Sequence, residues 1–315
     1  MSPELPSLVF MGTPDFAVPS LKKLVEAGAR VPLVVTQPDR PSGRGKKVSP
    51  SPVKLLAESL GIPVFQPERI RGTDATEKIR EYGAECAVVV AFGQILPQNF
   101  LDAQPLGAIN VHGSLLPRYR GAAPIQRSLM AGDAVTGISI MLLDAGMDTG
   151  PVLSQRELSV GEHENFQSVY EKLSMLGADL LCDTLRLWKA GLVQPQPQDG
   201  SLATAAPPIR KEELKIDWQL PARQIVNTIR AFDPWPGAYG LHQGKRLKLF
   251  GASFLPWKGE GRPGEILGPM EKGLVVLAGD AQAVAIAEIQ MEGQKRLSAA
   301  DFLRGRALPP GSCLD

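Results

Sequence analysis

The sequence predicts an α/β fold: a Rossmann-like, mostly parallel sheet with helices on both faces, followed by a small carboxyl-terminal β-barrel of OB-like type. Three observations carry this. Strand-like and helix-like patterns alternate as far as Ala190. Cys86–Phe92 is a continuous apolar run, the character of a central parallel strand covered on both faces. Beyond residue 208 the pattern changes to short runs between Gly and Pro turns, as in a small barrel. A chain of 315 residues exceeds one hydrophobic core. Two domains are therefore expected, at 1–191 and 209–315, joined by a linker at 192–208.

The elements follow in order. Leu8–Gly12 reads as a buried strand, and Asp15–Ala27 as a helix stopped by Gly28. Val31–Thr36 is the next β-branched run, completing a right-handed parallel unit. The intervening turn, Gly12-Thr13-Pro14-Asp15, is not a G-x-G-x-x-G and gives no warrant for a dinucleotide. Val53–Leu60 reads as a helix, Pro63–Gln66 as a strand, Asp74–Tyr82 as a polar helix and Gly107–His112 as a strand. Pro124–Ala131 is helical, Thr136–Leu142 and Pro151–Val160 are strands, and Phe166–Ala190 is a long amphipathic helix closed by Gly191. Pro195, Pro197, Pro207 and Pro208 mark a semi-rigid linker. A helix at Ala222–Phe232 and a rigid turn at Asp233–Ala238 precede five short strands: Tyr239–His242, Leu247–Phe254, Gly264–Leu267, Leu274–Leu277 and Ala283–Gln290.

Bulk composition excludes several classes. Hydrophobic residues make up 43% and charged residues 21%, an ordinary globular balance. No eighteen-residue apolar window is present, so no membrane span is expected. The start, Met1–Leu5, lacks the basic and apolar regions of a signal peptide, which predicts a cytoplasmic protein. The three cysteines, Cys86, Cys182 and Cys313, show no metal-ligand spacing, and no metal is expected. The net charge of +1 says nothing for nucleic acid, and DNA is not expected as a partner. Residues 209–315 hold fifteen Lys/Arg against twelve Asp/Glu, a mild basic excess compatible with RNA. The sharper cationic feature is Asp39–Lys47, with Arg40, Arg44, Lys46 and Lys47 interleaved with Gly, Pro and Ser. It has no apolar anchor before Val48 and reads as a mobile loop, either merely solvated or gripping phosphate.

The stretch with most chemical content is Asn110-Val111-His112-Gly113-Ser114-Leu115-Leu116-Pro117. It holds one of only three histidines, at a strand's carboxyl end, where open α/β sheets bind ligands. Residues i and i+2 of a strand share a side, so Asn110 and His112 project together. That pairs a fixed hydrogen-bond donor with a group that titrates near neutrality. Quiet packing is the ordinary alternative for a single strand-end histidine. Asp144-Ala145-Gly146-Met147-Asp148-Thr149-Gly150 is a second loop of note; its glycines and aspartates predict a tight turn, and turn chemistry by itself accounts for both aspartates.

These residues resemble the folate-dependent formyltransferases. The resemblance rests on Asn110-Val111-His112, on Ser114–Pro117 with Arg120-Gly121, and on Asp144–Gly150, and it spans essentially the whole chain. Gly113 stands where many members have Ala. Met11–Phe16, the Pro38–Lys47 loop and Pro234-Trp235-Pro236-Gly237 place the chain nearest the members that act on charged initiator tRNA. The resemblance implies transfer of the formyl group of 10-formyltetrahydrofolate to the α-amine of methionine esterified to initiator tRNA, for translation initiation. It implies catalysis by Asn110, His112 and Asp148: the first two stabilise an oxyanion, and Asp148 orients His112. It implies a folate site formed by Gln94, Ile95 and Leu96 with Ser114, Leu115, Leu116 and Pro117. It further implies that Phe16 meets the methionyl side chain, that Arg44, Lys46 and Lys47 contact tRNA, and that the protein works as a monomer.

Three other readings compete. A sugar-nucleotide N-formyltransferase shares the core but has no need of a cationic arm. The hydrolase domain of a formyltetrahydrofolate dehydrogenase would be followed by further regions. A non-catalytic RNA-binding protein would leave the paired Asn110 and His112 unexplained.

Overall fold

The computed structural model describes residues 3–42, 47–72, 74–270, 273–306 and 308–315, without the side chains of Pro41, Ser42 and Lys47. Two compact units are present, and they interleave along the chain. The first comprises Met1–Gly121, Gly137–Leu158 and Tyr170–Ala205; the second comprises Ala122–Thr136, Ser159–Val169 and Ala206–Asp315.

The first nine strands are β1 (Leu8–Gly12), β2 (Leu33–Val35), β3 (Arg40–Ser42), β4 (Lys47–Ser49), β5 (Val64–Phe65), β6 (Cys86–Val90), β7 (Ala108–His112), β8 (Val135–Leu142) and β9 (Val152–Ser159). Seven form one sheet in the order β5-β2-β1-β6-β7-β8-β9. Pairing is parallel from β5 to β7, and β8 joins β7 antiparallel. Strands β1 and β6 are buried at every position, which is why each reads as an uninterrupted apolar run. One face of this sheet builds a core from Val9, Met11, Val35, Ala87, Val89, Phe92 and Phe100.

The helices are α1 (Val18–Glu26), α2 (Pro52–Ser59), α3 (Ala75–Arg80), α4 (Gln98–Leu101), α5 (Pro124–Ala131), α6 (Phe166–Lys189), α7 (Ala222–Ala231) and α8 (Ala299–Gly305). Helix α1 follows a 3-10 turn at Asp15–Ala17 and buries Ser20, Leu21 and Leu24. Helix α2 begins at Pro52 and is capped by Ser51, whose side chain accepts from Lys54 N.

In the second unit, β10 (Tyr239–His242), β11 (Lys245–Leu255), β12 (Ile266–Met270), β13 (Gly273–Leu277), β14 (Ala283–Met291) and β15 (Leu297–Ser298) form an antiparallel sheet. Its order is β10-β11-β14-β13-β12, with β15 on β14. The carboxyl-terminal segment lies between the two edges. Asp315 exchanges both backbone hydrogen bonds with Leu241 at 2.8 Å, while Leu314 N donates to Gly264 O and Ile266 N to Ser312 O, each at 2.8 Å. The expected small barrel is thus built from strands plus this closing segment, which satisfies edge groups that would otherwise invite foreign pairing. Helix α7 buries Ile225, Val226 and Ile229.

Several features depart from the sequence expectations. The cationic loop contains a hairpin, with Arg40 opposite Ser49 and Ser42 opposite Lys47. Its strands are polar and short, so no hydrophobic alternation announces them. Arg44 and Lys46 lie outside the described residues, and Lys47 is described only in its backbone. Segment 192–208 is not a free tether over its described contacts. Gln196 exchanges 2.8 Å backbone bonds with Val152, and Thr204 O accepts from Arg120 N at 2.8 Å. Proline content reported its stiffness; backbone pairing by neutral residues leaves no compositional signal. Helices α4 and α8 are too short to show a helical period.

Candidate active site

Strand β7 delivers the central residues. Val89 of β6 pairs with Asn110, so the ends of the two strands lie side by side. The loops after Phe92 and His112 therefore leave from neighbouring strand ends, where open α/β sheets bind ligands. Asn110 is half-buried, and among the described residues no group hydrogen-bonds its side chain. The amide has two N–H donors available for a ligand.

His112 is 6% exposed. Its Nε2 lies 2.9 Å from Tyr119 O. A carbonyl oxygen only accepts, so Nε2 carries the proton and donates. That fixes the ring. The other nitrogen, Nδ1, faces Asp148 Oδ2 at 3.7 Å, beyond a hydrogen bond but within ion-pair reach. A neutral His112 presents Nδ1 as an acceptor; a charged His112 presents it as a donor beside a carboxylate.

Asp148 reaches this position from the far end of its strand. Because β8 runs antiparallel, Leu142 at its end pairs with Ile109 at the start of β7. The following loop must fold back to bring Asp148 to His112, and local chemistry makes it do so. Asp144 Oδ1 accepts from Gly146 N at 3.0 Å and from Thr149 Oγ1 at 2.7 Å, an Asx-type turn. A Cβ at Gly150 would stand 1.9 Å from Leu142 O, so only glycine fits there. Asp148 itself has φ +53, a left-handed conformation that costs a non-glycine residue free energy and recurs at functional sites. Gly121 N donates to Asp148 Oδ2 at 2.8 Å, which holds the carboxylate. The two aspartates thus divide the work: Asp144 makes the turn, and Asp148 faces the histidine.

The Ser114–Pro117 loop is rigid. Ser114 Oγ donates to Arg118 O at 2.7 Å, and Ser139 Oγ donates to Ser114 O at 2.7 Å. Leu116 N donates to Ser139 Oγ at 2.9 Å, and Gln155 Nε2 donates to Leu116 O at 2.8 Å. The Leu116–Pro117 peptide is cis. Ser114 and Leu116 are buried, whereas Leu115 and Pro117 are half-buried. A groove of about 290 Å³ opens beside Leu116 and Pro117, with Gln155, Gln196, Gln198 and Asp199 on its other walls.

The other predicted residues are placed as follows. Ile95 is 74% exposed and Leu96 half-buried on the loop after β6. Gln94 is tied inward: its Oε1 accepts from Ile70 N at 2.9 Å and its Nε2 donates to Pro67 O at 3.2 Å. Phe16 is 7% exposed and packs edge-on against Tyr170 with ring centroids 5.1 Å apart. Tyr170 in turn donates to Asp15 Oδ1 at 2.5 Å. Burial and that carboxylate push the Tyr170 phenol up, keeping it protonated.

Three contributors were not anticipated in these roles: the Tyr119 carbonyl, the Gly121 amide and the Gln198 side chain. The first two are backbone groups, invisible in residue type. Gln198 stands in a segment whose composition reads as linker.

Comparison with known proteins identifies the family. Residues 7–185 match the formyl transferase family model, and residues 208–307 match that of the formyl transferase C-terminal domain. A methionyl-tRNA formyltransferase of Geobacter metallireducens is 49% identical over 305 residues, 97% of each chain. One of Geobacter sulfurreducens is 48% identical over 307 residues, 98% of this chain and 96% of that one. Among solved structures, an N-formyltransferase from Helicobacter canadensis, in complex with folinic acid and dTDP-3-aminofucose, shares the fold with a TM-score of 0.65 at 16% identity. It covers 91% of this chain and is itself covered completely, to 100%. HypX from Aquifex aeolicus in complex with tetrahydrofolic acid aligns with a TM-score of 0.63 at 18% identity, over 95% of this chain and 47% of its own. With both family models matched in order and near-half identity along the full length, the chain belongs to the formyl transferase family.

Proposed function

We propose that the chain transfers the formyl group of 10-formyltetrahydrofolate to the α-amine of methionyl-initiator tRNA. The observation that carries the reading is the Asn110 amide, free of protein partners among the described residues, two residues from a histidine that faces a carboxylate. In this reaction the amine attacks the formyl carbon, a C–N bond forms, and the carbonyl oxygen becomes an oxyanion. No enzyme nucleophile is required, so the high thiol pKa of buried Cys86, pushed up to about 12, is no obstacle. Asn110 Nδ2–H donates to the oxyanion. His112, held by Tyr119 O through Nε2, gives or takes its proton at Nδ1. Asp148 stabilises the charged imidazole and helps relay the amine's proton towards the departing folate nitrogen.

The residues fit a folate. Exposed Ile95 and half-buried Leu96 offer apolar surface to a flat heterocycle, and the rigid Ser114–Pro117 loop, with Leu115 and Leu116 in its middle, offers a fixed backbone. Gln94 contributes by holding that wall in place. Phe16, held by its packing on Tyr170, meets the methionyl side chain. Arg44, Lys46 and Lys47 grip the acceptor stem, and residues 209–315 add the barrel surface to the tRNA contact. The catalytic part is 1–191, with 192–208 connecting and its Gln198 reaching back to the Asp148 turn. The protein acts as a cytoplasmic monomer.

The test offers the protein 10-formyltetrahydrofolate with charged initiator tRNA, a 4-amino sugar nucleotide, or water alone. Formylmethionyl-tRNA should accumulate; preferred formylation of the sugar, or hydrolysis without transfer, would overturn the reading.

A further inference from the structure

Gln198 uses its whole amide in one place. Its Nε2 donates to Asp148 O at 2.9 Å and to Gly150 O at 2.7 Å. Its Oε1 accepts from Arg120 Nε at 3.0 Å and from Arg120 Nη2 at 2.8 Å. A side-chain amide has two donor hydrogens and two acceptor lone pairs, and all four are matched here. The two carbonyls it holds bracket Thr149, directly after the left-handed Asp148. Arg120 is adjacent to Gly121, whose amide holds the Asp148 carboxylate. The Asp148 turn is thus gripped on its backbone by Gln198 and on its side chain by Gly121, and both grips trace to the Arg120-Gly121 dipeptide.

From this geometry we infer that Gln198 is a positioning residue for formyl transfer: by clamping the carbonyls of Asp148 and Gly150 it sets the separation between Asp148 and His112. The inference rests on the catalytic reading above. Without the clamp, the turn loses both of its bonds to Gln198, and αL is unfavourable for an aspartate whose backbone is no longer held. Loosening the turn lets Asp148 leave His112 without removing any group that touches substrate. A displacement of about 1 Å in a catalytic group can cost on the order of 100-fold in rate.

Gln198→Glu is the informative substitution. A carboxylate of the same shape keeps both acceptor bonds from Arg120 but donates nothing to the two carbonyls. Gln198→Met removes both sets of bonds at similar volume. The expected result for each is a fall in kcat of about 10- to 100-fold, with KM for tRNA and folate within about threefold of wild type. The imidazole 15N spectrum gives a second readout, because the protein has only three histidines, His112, His163 and His242. The His112 resonances should move while those of His163 and His242 stay in place. Wild-type kcat in Gln198→Glu, or a loss of rate with all three histidines shifted and a lowered Tm, would overturn the inference. If wild-type protein transfers no formyl group, the catalytic reading fails separately, and the His112 spectrum still reports whether Gln198 positions the turn.

Discussion

Two sites, one in each unit, treat their polar groups in opposite ways. In the second unit, Arg127 of α5 is saturated: Nη1 donates to Glu213 Oε2 at 2.5 Å, Nη2 to Glu213 Oε1 at 3.1 Å, and Nε and Nη2 both reach Pro207 O. The guanidinium draws the Glu213 carboxyl down to about 2. Arg230 is satisfied in the same way by Glu164 O and Gly161 O. In the first unit, Asn110 has no side-chain partner among the described residues, and His112 stands 3.7 Å from Asp148 without a bond. Saturated charges lock a fold; unsatisfied ones at a strand end are held ready for a ligand. Asp148 combines both conditions: its backbone is clamped by Gln198 and its Oδ2 is held by Gly121 N, yet that same Oδ2 stands 3.7 Å from His112 Nδ1 without a bond.

That contrast predicts that changes in the two regions separate activity from stability. The largest effect belongs to His112→Ala, which should lower kcat per folded molecule by at least about 100-fold, beyond what the lost bond to Tyr119 O costs in Tm. Activity close to wild type, or unfolding, would break the distinction. Next comes Arg127→Met. It strands a half-buried Glu213 and should cost about 2–4 kcal/mol, seen as an earlier thermal transition, with formyl transfer per folded molecule unchanged. The sign with pH is fixed by the depressed carboxyl. Glu213 contributes stability above the ordinary value of 4.5, and that contribution disappears as pH falls through about 2. An acid titration of wild type against Glu213→Gln should therefore differ above pH 4.5 and converge towards pH 2. Equal curves throughout would remove Glu213 from the account. A third experiment trims the barrel's closing segment. Deleting residues 311–315 should lower Tm by several degrees, roughly what losing a few backbone bonds and Leu314 burial costs. The smallest expected effect is Arg44→Ala. It should raise KM for tRNA severalfold and lessen the salt slope by about one counterion, with folate KM unmoved.

Much of the fold was legible because it follows from burial. β1 and β6 lie in the middle of a covered sheet, so their sequences are apolar throughout, and the strand–helix rhythm around them announced parallel pairing. Pro124 and Gly132 bracket α5 in the sequence as they do in the structure. Asn110 and His112 were singled out because a strand's two-residue period pairs such residues at its end, and both lie on β7. Asp148 was not legible from the residues alone. Its partner lies thirty-six positions earlier on an antiparallel neighbour, and only the fold-back of the loop unites them. Gln198 was hidden for a different reason: a glutamine among prolines has the composition of a connector, and its partners are carbonyls that any residue could supply. The hairpin at Arg40–Ser49 was missed because its strands are short, and the described side chains on them, Arg40, Val48 and Ser49, are exposed.

The most direct test of the account is the single-turnover rate of formyl transfer to charged initiator tRNA in Asn110→Ala, measured beside its Tm. A free amide poised for an oxyanion predicts a rate lower by about 100- to 1,000-fold with Tm little changed, because among the described residues no hydrogen bond of the protein depends on that half-buried side chain. A rate within a few-fold of wild type, or the same loss of rate explained by a lowered Tm, would contradict it.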